Sequence, residues 1–177
     1  MTQLPIISQK IEALIQEYTQ SLKVYNEAQF LFKQSEEIWS LGQMYEHIIQ
    51  TNQTFARVVN YCLKGEKGQI GGEKTPSGLN VYSYGSFPPI KVKIPVKSLD
   101  TQPLVKSQAE YEILLAQNLT QAQELLPLAQ ANAREYKIHH VIFGFLNAAE
   151  WFQMMEIHMR HHLRQKTELE AYWAERA

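Results

Sequence analysis

The chain has 177 residues, the length of one domain by the usual measure of roughly 100–200 residues. Its 17 Lys and Arg nearly balance 18 Asp and Glu, leaving a formal net charge of −1 and none of the basic surface that a general nucleic-acid binder or a protein held to anionic lipid requires. Hydrophobic residues make up 45%, enough for a core, and the one cysteine, Cys62, excludes both an internal disulfide framework and a zinc site of several thiolates. No apolar run approaches the ~20 residues of a membrane span. Met1-Thr2-Gln3-Leu4-Pro5 lacks the charged and apolar regions of a signal peptide. The expectation is a soluble, cytoplasmic, single-domain protein with neither nucleic acid nor membrane among its partners.

The first predicted helix covers about 6–33, where Ile7, Ile11, Leu14, Ile15, Tyr18, Leu22 and Tyr25 recur mostly at steps of three and four. A break near Gln34-Ser35 precedes the second, at about 41–63. There Ser40 and Gln43 have capping-box spacing, with Trp39 and Met44 placed as a hydrophobic staple. Its apolar stripe is Leu41, Met44, Ile48, Phe55, Val58 and Cys62. Residues 65–103 then hold six of the eight glycines and five of the seven prolines, which marks a long irregular crossover. Within it Val81-Tyr82-Ser83-Tyr84 and Ile90-Lys91-Val92-Lys93-Ile94 alternate polar and apolar, as short extended pieces do.

The third helix, about 108–130, opens on a box at Ser107 and Glu110 and carries Tyr111, Leu114, Leu115, Leu119, Leu125 and Leu126. Pro127 is expected to end or kink it. The fourth, about 148–170, repeats the syntax of the second: Asn147 and Glu150 as the box, Leu146 and Trp151 as the staple, and Gly144 in the preceding loop. Four helices of about 20 residues make an all-α four-helix bundle, and a crossover this long lets helices 2 and 3 lie parallel.

Three of the six histidines crowd into Glu156-Ile157-His158-Met159-Arg160-His161-His162-Leu163-Arg164-Gln165. His158 and His162 are four apart, which on a helix is about 40° of rotation and about 6 Å of rise, so both rings can reach one point. Trp151 and Met155 share their stripe, so the pair faces inward, whereas His161 is directed outward or into an interface. His47, three beyond Met44, borders the apolar stripe of helix 2 and is the natural third ligand. Three neutral imidazoles with one open position describe a catalytic zinc-type site. The competing reading is a pair of histidines that is merely hydrogen-bonded or solvated. His139 and His140 read as structural residues near the start of helix 4, and Cys62 as a core residue.

Sharper motifs are absent. A zincin needs H-E-x-x-H, but Met159 stands where the Glu would be, and no Glu is followed by His at three as a di-iron bundle requires. There is no phosphate-binding glycine loop and no Gly-x-Ser-x-Gly elbow.

Trp39-Ser40-Leu41-Gly42-Gln43-Met44-Tyr45-Glu46-His47 is similar to the start of the second helix in the DinB/YfiT-like superfamily. Phe143-Gly144-Phe145-Leu146-Asn147-Ala148-Ala149-Glu150-Trp151, with His158 through Gln165, resembles its last helix. The resemblance implies a bundle with one long crossover and a divalent ion, commonly zinc or nickel, on His47, His158 and His162. His140 and Phe143-Gly144 match a His-x-x-Phe-Gly element of some members. Some relatives are metal-dependent transferases or isomerases that use a low-molecular-weight thiol, and homodimers are common among them.

Two functions follow as expectations. The first is an enzyme, a metal-dependent transferase or hydrolase of a small-molecule substrate, in which the ion lowers the pKa of a bound water or thiol. The crossover then supplies a pocket wall, with Tyr82, Tyr84 and Lys91 as its candidates. The second is a non-catalytic metal-bound module with Phe30, Phe32, Tyr172 and Trp173 as candidates for a dimer surface, the competing reading of these four being core or scattered surface residues.

Overall fold

The computed structural model describes residues 4–88, 103–132 and 135–176. Four long helices dominate: α1 (Leu4–Leu22), α3 (Leu41–Lys64), α5 (Gln108–Ala131) and α6 (Ala148–Ala174). Two short helices, α2 (Glu27–Leu31) and α4 (Pro76–Tyr84), lie in the connections. A small antiparallel sheet of β1 (Gln69–Ile70), β2 (Tyr136–His140) and β3 (Gly144–Asn147) runs in the order β1-β2-β3. This is the helical class that the periodicity predicts. Among the described residues, no helix is long and apolar enough to cross a membrane.

Local chemistry sets the long helices. All three expected capping boxes form: at Ser40, Ser107 and Asn147 the side chain accepts from the third backbone N–H, and Gln43, Glu110 and Glu150 reach back to the cap. α3 stops at Gly65, whose φ of 69° gives the left-handed cap that favours glycine. Pro127 does not end α5, which runs on to Ala131. Pro127 and Gln123, four residues back, are both exposed, so the carbonyl left without a helix donor faces water.

The first helix is shorter than expected. It ends at Leu22, and the chain restarts at α2, where the Asn26 side chain accepts from Gln29 N. The stripe of α1 is fully buried, and Tyr25 and Phe30 extend it beyond the helix. Phe30 is therefore a core residue and not part of a dimer surface. Its ring centroid lies 5.7 Å from that of Tyr45 and 5.9 Å from that of Tyr111.

Helix directions follow from the contacts. Tyr45 meets Tyr111 with centroids 6.1 Å apart, and Asn118 Nδ2 donates to Ile49 O at 3.5 Å, so α3 and α5 run parallel, as the long crossover allows. His47 meets His162 while Phe55 meets Trp151, so α3 and α6 run antiparallel.

The crossover is less irregular than its composition implies. Val81-Tyr82-Ser83-Tyr84 is helical, not extended, because Thr75 caps α4 by accepting from Gly78 N and Pro76 occupies the first turn. Ile90 to Ile94, Lys91 included, lie outside the described residues. The segment also touches down on α6: Lys74 pairs with Glu150, Tyr82 Oη donates to Glu150 O at 2.8 Å, and Arg160 donates to Gly85 O.

The hairpin of β2 and β3 replaces what the sequence pattern predicts as a loop. Its register pairs Ile138 with Leu146 and His140 with Gly144. Its last residue, Asn147, is the N-cap of α6, so the hairpin sets where that helix begins. Gly144 has φ of 78°, and a Cβ there would lie 2.6 Å from Glu73 O and 2.7 Å from Thr75 N. Both are backbone atoms with little freedom to yield. Gly144→Ala is expected to destabilise the protein by about 2–4 kcal/mol, from left-handed strain plus the clash, read as a lower urea midpoint with unchanged m-value.

Candidate metal centre

The site is assembled by two helices. His47 lies in the second turn of α3, and His158 and His162 lie one turn apart on α6. Trp151, Met155 and His158 share the inward stripe of α6 and are all buried. Antiparallel packing of α3 on α6 then brings His47 across. Its Nε2 is 3.0 Å from His158 Nε2, and His162 Nε2 is 3.1 Å from the same atom. The ligating nitrogens of the three residues lie within 4.8 Å of one another. Among the described residues, no further His, Cys, Asp or Glu joins the group.

A proton on each ring does not satisfy this arrangement. A neutral imidazole offers one N–H and one lone pair, while His158 Nε2 faces two other Nε2 atoms at once. One ion bonded to all three lone pairs does satisfy it. Bonds of about 2.0–2.1 Å at tetrahedral angles put neighbouring nitrogens roughly 3.3 Å apart, close to the observed spacing. His162 Nδ1 donates to Gln165 Oε1 at 2.6 Å, which leaves Nε2 as the unprotonated atom. His158 Nδ1 is buried and has no hydrogen-bond partner among the described residues.

Burial keeps these rings neutral. It pushes the His47 imidazole down to about 4, helped by the nearby His161. It pushes His162 down to about 3, again with His47 adding to the effect. His158 is held well below the ordinary range by burial and then by its histidine neighbours. Neutral imidazole is the form that binds metal. His47 is the least buried of the three, so the site faces solvent on its side, where the Trp39 ring lies 5.0 Å from the His47 ring.

The other singled-out residues take different places. His161 is half-buried, its ring 5.3 Å from Phe87 and 5.4 Å from His162, so it borders the site without joining it. His140 has the structural role expected of it: Nδ1 accepts from Ile142 N at 3.1 Å and Phe143 N at 3.3 Å, closing the hairpin turn. His139 is exposed and packs on Phe145. Cys62 is buried, and burial pushes its thiol up to about 12, which fits a core residue. Tyr82 is spent on Glu150 O, and Tyr84 is 80% exposed, so neither forms a wall for the histidines. Tyr84 instead borders a groove of about 680 Å³ with Ile6, Lys10, Leu14 and Arg160, which contains none of the three histidines.

Sequence reasoning missed the contact of Gln165 with His162 and the tilted packing of Trp39 on His47. A glutamine three residues beyond a helical histidine was the available signal for the first. No curated protein matches the chain. The sequence does match the profile of the DinB superfamily over residues 10–165, a span that holds all three histidines, the capping boxes and the crossover. That match covers most of the chain and agrees with the fold, and the protein is a member of the DinB superfamily.

Proposed function

We propose that the protein holds one divalent ion, zinc or nickel, on His47, His158 and His162 and is a metal-dependent transferase or hydrolase of a small-molecule substrate. A low-molecular-weight thiol is the proposed co-substrate, and the cytoplasm the proposed location. The observation that carries this reading is the convergence of three neutral Nε2 atoms with no fourth ligand beside them among the described residues. An ion there supplies Lewis-acid activation of whatever fills its open side.

The chain's own groups prepare that chemistry. α3 and α6 fix the donors before any ion arrives, and burial keeps them unprotonated. Trp39 lies against the more open edge at His47, while His161 borders His162 and is itself packed on Phe87. The packing of Phe55 on Trp151 and of Tyr18 Oη on Met159 O at 2.8 Å already binds α6 to its neighbours without an ion. That favours a catalytic ion over one that merely ties helices together. A homodimer is proposed from the family resemblance. Phe32 and Trp173 pack edge to face with centroids 5.5 Å apart beneath Arg176 and remain candidates for its surface, beside Tyr172.

The test is elemental analysis of untagged protein purified without chelator. About one equivalent of zinc or nickel is expected, falling to background in a His158→Ala/His162→Ala variant. A wild type that carries neither ion, and takes up neither when supplied, would overturn the reading.

A further inference from the structure

We propose that Gln165 is a positioning residue for the metal centre, holding His162 in the tautomer and orientation that direct an unprotonated Nε2 at the ion. This rests on the three-histidine reading above and adds a residue to it.

The geometry is specific. Gln165 Oε1 stands 2.6 Å from His162 Nδ1. An amide oxygen only accepts, so the proton resides on Nδ1 and the lone pair on Nε2. That Nε2 is the atom lying 3.1 Å from His158 Nε2. The two residues are three apart on α6, a spacing at which side chains share a face, so the helix itself fixes the reach. His162 is buried and Gln165 half-buried, so little water competes for Nδ1.

The contrast with the other ligand on the same helix sharpens the inference. His158 Nδ1 is buried without a partner among the described residues, so no side chain there sets its proton. His162 is thus the ring that the chain pre-sets, and Gln165 is the group that does it. The side chain also has a non-productive orientation. Turned over, its NH₂ would donate to Nδ1, move the ring proton to Nε2 and block ligation. An acceptor that cannot turn into a donor at pH 7, a carboxylate, should therefore replace Gln165 without loss.

The experiment compares wild type with Gln165→Leu and Gln165→Glu. The zinc Kd is read by competition with a chromogenic chelator, the cobalt-substituted forms by their visible spectra, and the metal-free forms by circular dichroism and ¹⁵N NMR of the imidazoles. Gln165→Leu is expected to weaken zinc binding about 10–100-fold, the usual loss when a ligand's hydrogen-bond partner is removed. Its helicity should be unchanged, and its His162 signal should move toward the mixed tautomers of a free imidazole. Gln165→Glu should restore the wild-type Kd to within a few-fold and keep Nδ1 protonated. Equal Kd values for wild type and Gln165→Leu would overturn the proposal while leaving the metal site standing. Absence of zinc, nickel and cobalt binding by the wild type would instead overturn the metal site itself.

Discussion

Taking the metal-free protein from pH 7 to pH 4 is expected to remove a large part of its folding stability. The cause is a group of buried imidazoles that the folded state keeps neutral. His47 and His140 are pushed down to about 4 and His162 to about 3, in each case chiefly by burial, against an ordinary value of 6.5. Above pH 6.5 these rings are neutral in both folded and unfolded chains, and their contribution is fully present. Between 6.5 and the folded values the unfolded chain binds protons that the folded chain refuses, so stability falls with pH. Below about 3 both states are protonated and the loss levels off. A tenfold difference in proton affinity between the two states is worth about 1.4 kcal/mol, so His140 alone accounts for roughly 3 kcal/mol of a total that is usually 5–15 kcal/mol. Urea midpoints at pH 7, 5.5 and 4.5 should decline in that order. A flat profile across this range would show that the fold does not hold its histidines neutral.

Supplying zinc or nickel should act in the opposite direction. A ligand that binds only the folded state at a hundred times its Kd adds about 2.7 kcal/mol. For a domain of this size each kcal/mol raises the Tm by about 2–4 °C, so the gain should be roughly 5–10 °C. The His158→Ala/His162→Ala variant should show no such gain, although it too must fold. An equal rise in both proteins would place the stabilising ion somewhere other than the three histidines. The two effects overlap at His47 and His162, whose lone pairs refuse protons and are the ones proposed to accept the ion, whereas His140 contributes to the pH effect alone.

Much of the site was legible because its signals are local. The capping boxes at Ser40, Ser107 and Asn147 are short patterns that form whatever surrounds them. His158 and His162 are brought together by the helix alone, and His47 was found from its place beside a buried stripe. The failures lie where short patterns are ambiguous or partners are distant. Four alternating residues at Val81 to Tyr84 fit a strand, but the Thr75-Pro76 start decided for a helix. The hairpin was hidden because β2 is stabilised by pairing with β3 and with residues far back at Gln69 and Ile70. The sequence left Phe30 open between a dimer surface and the core, and only the fold shows that the turn at Asn26 returns it to the tyrosines of the core.

Beside the backbone hydrogen bonds from Thr75 N to Phe143 O and from Phe145 N to Glu73 O, Glu150 ties the crossover to the start of α6. One carboxylate oxygen accepts from Asn147 N at 2.9 Å, the other pairs with Lys74, and the backbone carbonyl receives Tyr82 Oη. The last of these contacts closes a loop of 68 residues. Closing such a loop is opposed by chain entropy, and starting a helix is opposed by the ordering of its first turn. Here both obstacles are met at the same residue. The two arrangements therefore support one another in the folded state: the crossover docks on the residue that closes the capping box of α6, so whatever holds one in place also holds the other.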